Sequence, residues 1–109
     1  MLIQFNTDNN ITGTEKLTAP LEAILSEGLR RFSSQITRLE IHLADKNGNK
    51  HAENDKRCMI EARLEGMKPI AVTNYANTYA ESVEGAMAKL KYTLETMLGR
   101  LESKKYEAN

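Results

Sequence analysis

The feature that most limits the fold of this chain is an apolar stripe with helical spacing, which runs from Tyr79 to about Ser103. A helix with a single apolar face gains most of its stability by packing that face against another apolar surface. The rest of the chain must therefore supply such a surface. The stripe follows the i, i+3, i+4, i+7 rhythm and consists of Val83, Ala86, Met87, Leu90, Leu94, Met97, Leu98 and Leu101.

Three segments that precede this helix are predicted to be β-strands. Residues 38–43 and 58–65 alternate polar and apolar side chains, and a further β-prone segment starts at Ile70. Alternation with a period of two is typical of a strand with one buried face and one solvated face. Because the three segments are consecutive in the chain, they are predicted to form an antiparallel meander.

The N-terminal part of the chain predicts one more strand and one more helix. Residues 2–6 are β-prone, and Thr18 is a suitable helix N-cap with Pro20 in the first turn. The helix is expected to end at Ser33-Ser34, and Gly28 on its apolar side is expected to allow close approach to the sheet. Its stripe consists of Leu21, Ile24, Leu25, Leu29 and Phe32.

These elements together predict an α+β fold with the order βαβββα. A sheet with one apolar face needs a cover, and two amphipathic helices on that face supply it, which gives a two-layer architecture. We expect a single domain over residues 1–109, with an ordered core over about 2–103 and a frayed C-terminal tail. The opposite, solvated face of the sheet is expected to carry Arg38, Glu40, His42, Met59, Glu61, Arg63 and Glu65.

Composition narrows the class of protein without selecting a function. The 109 residues include 15 Lys and Arg and 15 Asp and Glu, so the formal net charge is zero. Proteins that bind nucleic acids usually carry excess positive charge, so such a role would require cations gathered on one face. Residues 1–10 do not resemble a signal peptide, and no apolar run approaches the ~20 residues that span a bilayer. We expect a cytoplasmic protein that does not contact membranes.

Residues that could perform chemistry are few and isolated. His42 lies on the polar side of a predicted strand and His51 in a loop, and neither has a second ligand at zinc spacing. Cys58 is the single cysteine, which excludes an internal disulfide, and its position in the alternation predicts an inward side chain. We predict no catalytic residue, no metal site and no cofactor. An enzyme would need a pocket lined by His42, Glu61 and Arg63.

The basic residues give the most informative candidate site. Arg30 and Arg31 fall at the end of the first helix, and the others follow the non-core side of the second helix and its tail. Such residues can contact phosphate oxygens without reading a base sequence. The alternative is a solvated face whose cations are partnered by Glu84, Glu95 and Glu102. The candidates are Arg30, Arg31, Lys89, Lys91, Arg100, Lys104 and Lys105.

The order of the elements, together with three segments, resembles the family of ribosome hibernation-promoting factor and ribosome-associated inhibitor A, also called the sigma-54 modulation protein family. The segments are IHLAD at 41–45, DKRCMIEARLEG at 55–66 and VEGAMAKL at 83–90. The similarity extends from Leu2 to about Leu101, and the length resembles that of a short member. No single motif is diagnostic, so the resemblance rests on order, length and spacing together.

This resemblance implies a fold like that of a double-stranded RNA-binding domain and a bacterial protein that binds the small ribosomal subunit in stress or stationary phase. Members occupy the channel at the decoding region, which blocks translation and protects idle ribosomes without catalysis. The family places Lys and Arg along the exposed faces of both helices. Arg30, Arg31, Lys89 and Lys91 match that pattern. The departures, where basic residues are common in the family, are Glu22 and Gly28 in the first helix and Tyr92 and Thr96 in the second.

We therefore expect a ribosome-associated translation regulator, with rRNA of the small subunit as its partner and no small-molecule substrate. The sequence leaves homo-oligomerisation open. The alternative is a protein-interaction module of the same fold that does not bind ribosomes. Such a module would use the solvated sheet face or an outer strand, where main-chain groups can pair with another chain.

Overall fold

In the part of the chain that the structure describes, four strands and two α-helices follow one another in the predicted order. The computed structural model describes residues 1–8, 14–47 and 53–107, with side chains for 1–8, 15–47 and 53–100. The elements are β1 (Leu2–Thr7), α1 (Thr14–Gly28), β2 (Ile36–Asp45), β3 (Lys56–Leu64), β4 (Ile70–Ala76) and α2 (Tyr79–Glu107). A short 3₁₀ turn, Arg30–Phe32, lies between α1 and β2.

The strands form one mixed sheet with the spatial order β1-β2-β3-β4. The predicted meander is confirmed, because β2, β3 and β4 pair antiparallel to their neighbours. The register places Ile41 opposite Ile60, so the two alternating segments point their apolar side chains to the same face. β1 lies outside β2 and is parallel to it, with Phe5 opposite Ile41.

Both helices cover the same face of the sheet, as predicted. The inward side chains of β2 and β3 join the apolar stripes of the two helices in one buried cluster. α2 packs on β3 and β4, and α1 lies beside α2 near β1. Ile60 at the centre of the sheet and Leu90 on α2 are both completely buried. The two-layer α+β architecture therefore has a single core between the sheet and the helices.

α1 begins at Thr14, four residues before the predicted N-cap Thr18, so that prediction was wrong. Pro20 lies inside the helix rather than in its first turn. Proline removes one backbone donor there, but Leu17 extends the apolar stripe by one turn and packs against the core. The partial burial of Leu17 opposes the cost of the missing hydrogen bond.

α1 also ends earlier than predicted, at Gly28 instead of Ser33-Ser34. The chain tightens into the 3₁₀ turn, in which the Phe32 amide donates to the Leu29 carbonyl at 2.9 Å. The expected close approach of Gly28 to the sheet was also wrong. A Cβ at Gly28 would lie only 2.6 Å from Met87 Cε of α2, so this glycine permits contact between the two helices.

Thr78 caps the N-terminus of α2 with its side chain. The Glu81 amide donates to Thr78 Oγ1 at 3.0 Å, and the Thr78 hydroxyl donates back to Glu81 Oε1 at 3.2 Å. At its other end α2 continues to Glu107, beyond the predicted end near Ser103. The last residues, Lys-Lys-Tyr-Glu, contain no proline or glycine that would stop a helix. No helix among the described residues is long and apolar enough to cross a membrane.

The open face of the sheet carries the charged residues that the alternation predicts. Arg38 pairs with Glu40 at 2.6 Å, and Arg63 pairs with Glu61 at 2.7 Å. Each pair joins residues two apart on one strand, so the charges on this face largely neutralise one another. The Glu61–Arg63 pair occupies the carboxylate that the hypothetical enzyme pocket would have required.

Two glycines of α2 should respond oppositely to the same substitution. A Cβ at Gly85 would lie only 2.6 Å from Asn74 Cγ, whereas a Cβ at Gly99 meets no atom within 4 Å. We expect Gly85→Ala to lower the free energy of unfolding by about 1 to 3 kcal/mol through overpacking. Gly99→Ala should raise it by about 0.5 to 1 kcal/mol because alanine favours the helix.

Urea unfolding followed by circular dichroism measures both changes. The two variants share the helix and the chemical change, so the packing against β4 is the main difference between them. Equal stabilisation by both substitutions would contradict the close contact between Gly85 and Asn74.

Candidate nucleic-acid interface

Three of the predicted basic residues converge on one cleft between the helices. Arg30 and Arg31 reach it from the 3₁₀ turn after α1, and Lys91 reaches it from α2. The cleft has a volume of about 370 Å³, and its remaining lining residues are Glu27, Gly28, Phe32 and Glu95. We call these residues the interhelix cleft.

The local sequence explains why these cations meet. Because Gly28 has no side chain, α2 approaches closely, and a Cβ at Gly28 would lie 3.8 Å from Lys91 Nζ. The 3₁₀ turn then directs Phe32 into the core and leaves Arg30 and Arg31 exposed. The guanidinium of Arg31 lies 4.6 Å from the centre of the Phe32 ring, a distance that permits cation–π contact.

Two carboxylates partly balance the cations of the interhelix cleft. Arg31 pairs with Glu95 at 2.6 Å, and Arg30 pairs with Glu27 at 3.5 Å. All four side chains are more than half exposed, and exposed ion pairs contribute only about 0 to 1 kcal/mol. Three cations against two carboxylates leave a local charge of +1. An incoming phosphate could therefore exchange with either carboxylate at small cost.

The predicted basic residues do not form one continuous surface. Lys89 and Lys91 are two residues apart, which places them about 200° apart around the helix axis. Lys89 Nζ donates to the Thr73 carbonyl of edge strand β4 at 2.6 Å, on the flank of α2 away from the cleft. Arg100 follows Lys89 by about three turns, so this exposed residue lies on the same flank.

The remaining candidates give less information. The structure describes the backbone of Lys104 and Lys105 within α2 but not their side chains. The alternative in which Glu84, Glu95 and Glu102 partner the candidate cations is confirmed for Glu95, which pairs with Arg31 after α1. That pair joins residues 64 positions apart, so no local pattern in the sequence could reveal it.

Cys58 is a buried core residue, as predicted. Its side chain is completely buried, and burial raises the pKa of its thiol to about 12. His42 is half-buried on the open face of β2 opposite Met59, and His51 lies outside the described residues. Within residues 1–8, 14–47 and 53–107, no group of three or more His, Cys, Asp or Glu side chains could hold a metal ion.

Sequence reasoning missed a charged cluster that joins the ends of β2 and β3 to the start of α2. Lys56 Nζ lies 3.0 Å from Asp55 Oδ1 and 3.1 Å from Asp45 Oδ2, and 5.7 Å from the centre of the Tyr79 ring. Hydrogen bonds to Asp55 and then Asp45 raise the pKa of Lys56, and burial raises the pKa of Tyr79. Asp45 pairs with Lys56 at the loop end of the β2–β3 hairpin, a register that the alternation of polar and apolar residues does not reveal. We interpret the cluster as a structural link.

The class of fold that emerges is a mixed four-stranded sheet, covered on one face by two helices, with a partly balanced basic cleft between the helices. Comparison of the sequence with family models and with curated proteins finds no match in either. Solved structures that share the fold include the two described next. They support the resemblance predicted from the sequence at the level of the fold.

One is a ribosomal subunit interface protein from Coxiella burnetii, with a TM-score of 0.63, 18% sequence identity and complete coverage of both chains. The other is the N-terminal domain of protein Y from Thermus thermophilus, with a TM-score of 0.68 and 16% identity. That alignment covers 89% of this chain and 99% of the Thermus chain.

The buried thiol of Cys58 should make stability depend on pH in the alkaline range. The folded thiol keeps its proton up to a pKa of about 12, whereas an unfolded thiol ionises near about 8.5. Between these values deprotonation stabilises the unfolded chain, so the free energy of unfolding should fall as pH rises, by about 1.4 kcal/mol per pH unit from this group. Below the pKa of the unfolded thiol, the contribution of Cys58 to the free energy of unfolding does not change with pH.

At each pH, the free energy of unfolding of Cys58→Ala is subtracted from that of the unchanged protein. The difference isolates the contribution of Cys58 from that of the other titrating groups. A difference that stays flat between roughly pH 9 and roughly pH 11 would contradict the burial of Cys58. As a second readout, a thiol reagent should modify Cys58 rapidly only after the protein is unfolded in urea.

Proposed function

We propose that this protein binds the small ribosomal subunit through contacts with rRNA phosphates, and that it blocks translation and protects idle ribosomes in stress or stationary phase. The observation that supports this most is the convergence of Arg30, Arg31 and Lys91 on the interhelix cleft. The fold that carries the cleft is shared over the full chain with a ribosomal subunit interface protein. The cytoplasm is the corresponding place of action.

The chemistry of the interhelix cleft suits a phosphate backbone. A guanidinium can donate two parallel hydrogen bonds to phosphate oxygens, and an ammonium supplies a compact positive charge. Arg30 and Arg31 approach from one side of the cleft and Lys91 from the other. A sugar–phosphate strand along the cleft would meet cations from both helices. Such contacts set position and orientation without reading base sequence.

The second basic flank of α2 gives the proposed interface a further contact. Lys89 is tied to the Thr73 carbonyl, but an ammonium has three donors, so it can bind a phosphate oxygen at the same time. Arg100 lies on the same flank about 16 Å farther along the helix, at about 1.5 Å of rise per residue. α2 would therefore lie against RNA with cations on both sides of its exposed ridge. Lys104 and Lys105 would extend this contact in the same direction.

The proposed inhibition requires that the protein occupy a site on the small subunit, and it requires no catalysis. A protein that fills a site on the subunit inhibits translation by exclusion, and its release restores the ribosome. Because the net charge is zero, few phosphate contacts would drive the association, so affinity should fall as salt rises with a shallow slope set by that small number of contacts. Weak, salt-dependent binding is compatible with reversible inactivation.

Sedimentation with ribosomes tests the proposal directly. The protein should travel with the small subunit at low salt and dissociate as salt is raised. We expect Lys91→Ala and Arg30→Ala each to weaken binding and to reduce the slope of log affinity against log salt by roughly 0.7 to 0.9, because each removes one phosphate contact. Quantitative co-sedimentation over a series of salt concentrations gives both values.

Arg63→Ala is the matched control, since it removes one exposed cation from the open face of the sheet on the opposite side of the molecule. The slope of log affinity against log salt should be the same for Arg63→Ala as for the unchanged protein. A protein that remains at the top of the gradient at low salt does not bind ribosomes. That result, together with a stable homodimer in light scattering, would favour the protein-interaction alternative.

Removing the carboxylate that competes for Arg31 should strengthen binding. Glu95→Gln keeps the size of the side chain and leaves the Arg31 guanidinium free for phosphate. We expect ribosome affinity to rise by roughly two- to fivefold at low salt, which corresponds to an exposed ion pair. Glu61→Gln makes the same change in the Arg63–Glu61 pair on the open sheet face and should leave affinity unchanged.

Titration of a fluorescently labelled protein with small subunits measures these affinities. Equal gains from the two substitutions would show that net charge alone controls binding, and would exclude the interhelix cleft as the site.

A further inference from the structure

Tyr92 on α2 is the most exposed large hydrophobic side chain in the described part of the chain. It is 73% exposed, compared with 57% for Leu2, 49% for Tyr75 and 38% for Met1. Aromatic side chains usually bury much of their ring, because the side chain contributes roughly 150 to 250 Å² of contact area. The exposed ring therefore lies on the outer ridge of the helix that carries Lys89 and Lys91.

The surroundings of Tyr92 leave its ring accessible. The residues one turn before and after it are Ala88 and Thr96, both smaller than Tyr92. Two turns after it lies Gly99, where a Cβ would meet no atom within 4 Å. The hydroxyl of Thr96 donates to the Tyr92 carbonyl at 2.9 Å, so it folds back onto the helix. A flat group can approach the ring along this ridge.

The charges next to Tyr92 favour an anionic ligand on one side. Lys89 precedes it by three residues, about 4.5 Å along the axis, and the bond to Thr73 holds its ammonium in place. Glu95 follows it by three residues, but its carboxylate is paired with Arg31 at 2.6 Å. The carboxylate of Glu95 is thus partly neutralised, while a cation stays within one turn of the ring.

The hydrogen-bonding groups beside the ring are already engaged. Thr93 donates to the Lys89 carbonyl at 3.0 Å, in the same way that Thr96 donates to the Tyr92 carbonyl. The ridge therefore offers a ring face and a cation, and few side-chain groups that could read the edge of a base. This combination is typical of stacking platforms for single-stranded nucleic acid, which tolerate any base.

We propose that Tyr92 is a stacking platform for one unpaired base of RNA, with Lys89 contacting the phosphate of that nucleotide or its neighbour. The inference rests on the proposed ribosome binding and adds to it a contact that involves a base. It identifies the bound RNA as having at least one nucleotide that is not in a duplex. Sequence specificity from this contact is small, since every base has a π-face.

The affinity of variants for small subunits distinguishes a stacking contact from an electrostatic contact. We expect Tyr92→Phe to keep the affinity of the unchanged protein, because the ring remains. Tyr92→Ala should lower the affinity by roughly 5- to 150-fold, the range typical of losing one stacked base, with no change in the salt slope. Lys91→Ala, in contrast, should reduce that slope. A Tyr92→Ala variant with unchanged affinity would overturn the proposal.

A fluorescence experiment tests stacking without ribosomes. The chain contains no tryptophan, so Tyr92→Trp introduces a single tryptophan whose emission a stacked base should quench. A short oligoadenylate RNA at low salt should quench it, and an RNA duplex of equal length should not. Tyr75→Trp is the control, because Tyr75 is also exposed but lies on β4 with its side chain on the open sheet face.

The two proposals can fail separately. If the protein does not sediment with ribosomes but oligoadenylate quenches the Tyr92→Trp variant, ribosome binding is wrong and stacking is retained. If the protein binds ribosomes but oligoadenylate leaves the emission of that variant unchanged, the stacking platform is wrong. A loss of ribosome affinity in Tyr92→Ala without quenching would assign the ring to a ribosomal protein contact, which also overturns the proposal.

Discussion

The packing of the apolar stripe of α2 on the sheet is the interaction on which the rest of this structure depends. Leu90 and Leu94 are completely buried, and a fully buried leucine contributes about 1.5 to 3 kcal/mol relative to an exposed one. This burial fixes the rotation of α2 about its own axis. The rotation in turn directs Lys91 to the interhelix cleft, Lys89 to β4 and Tyr92 to solvent. The candidate interface is thus a consequence of the core.

A neutral chain can present a phosphate-binding surface only if its charges are arranged unequally. On the open sheet face, arginines pair with glutamates two residues away on the same strand, so the two charges of each pair cancel. In the interhelix cleft, three cations meet two carboxylates, and the Arg31–Glu95 pair joins parts of the chain that are distant in sequence. Exposed pairs of this kind are weak, so they can exchange partners. The proposed function depends on that exchange.

The buried polar groups have structural roles, and the residues proposed to bind RNA lie on the surface. Cys58 keeps its proton because it has no contact with water, and Lys56 links two aspartates at the end of the β2–β3 hairpin. The two solved structures compared above are under 20% identical to the chain, so they share its fold while most residues differ. Binding must therefore be tested on the residues of this chain. Substitution of Tyr92 gives the most specific of these tests.

The sequence by itself determined the elements and their faces, because the period of apolar residues reports directly which side of a helix or strand is buried. It predicted the meander, the two helices on one face and the inward Cys58. It misplaced the start of α1, since Pro20 is typical of a first turn and the contribution of Leu17 depends on the core that it reaches.

Only the tertiary structure decided which basic residues act together. Helical period separates Lys89 from Lys91, but it does not reveal what lies on either side of α2. The contact of Gly28 with Met87, the convergence of Arg30 and Arg31 with Lys91, and the pairing of Arg31 with Glu95 all join distant segments. Such contacts follow from how the helices pack together on the sheet, and no local pattern encodes that arrangement.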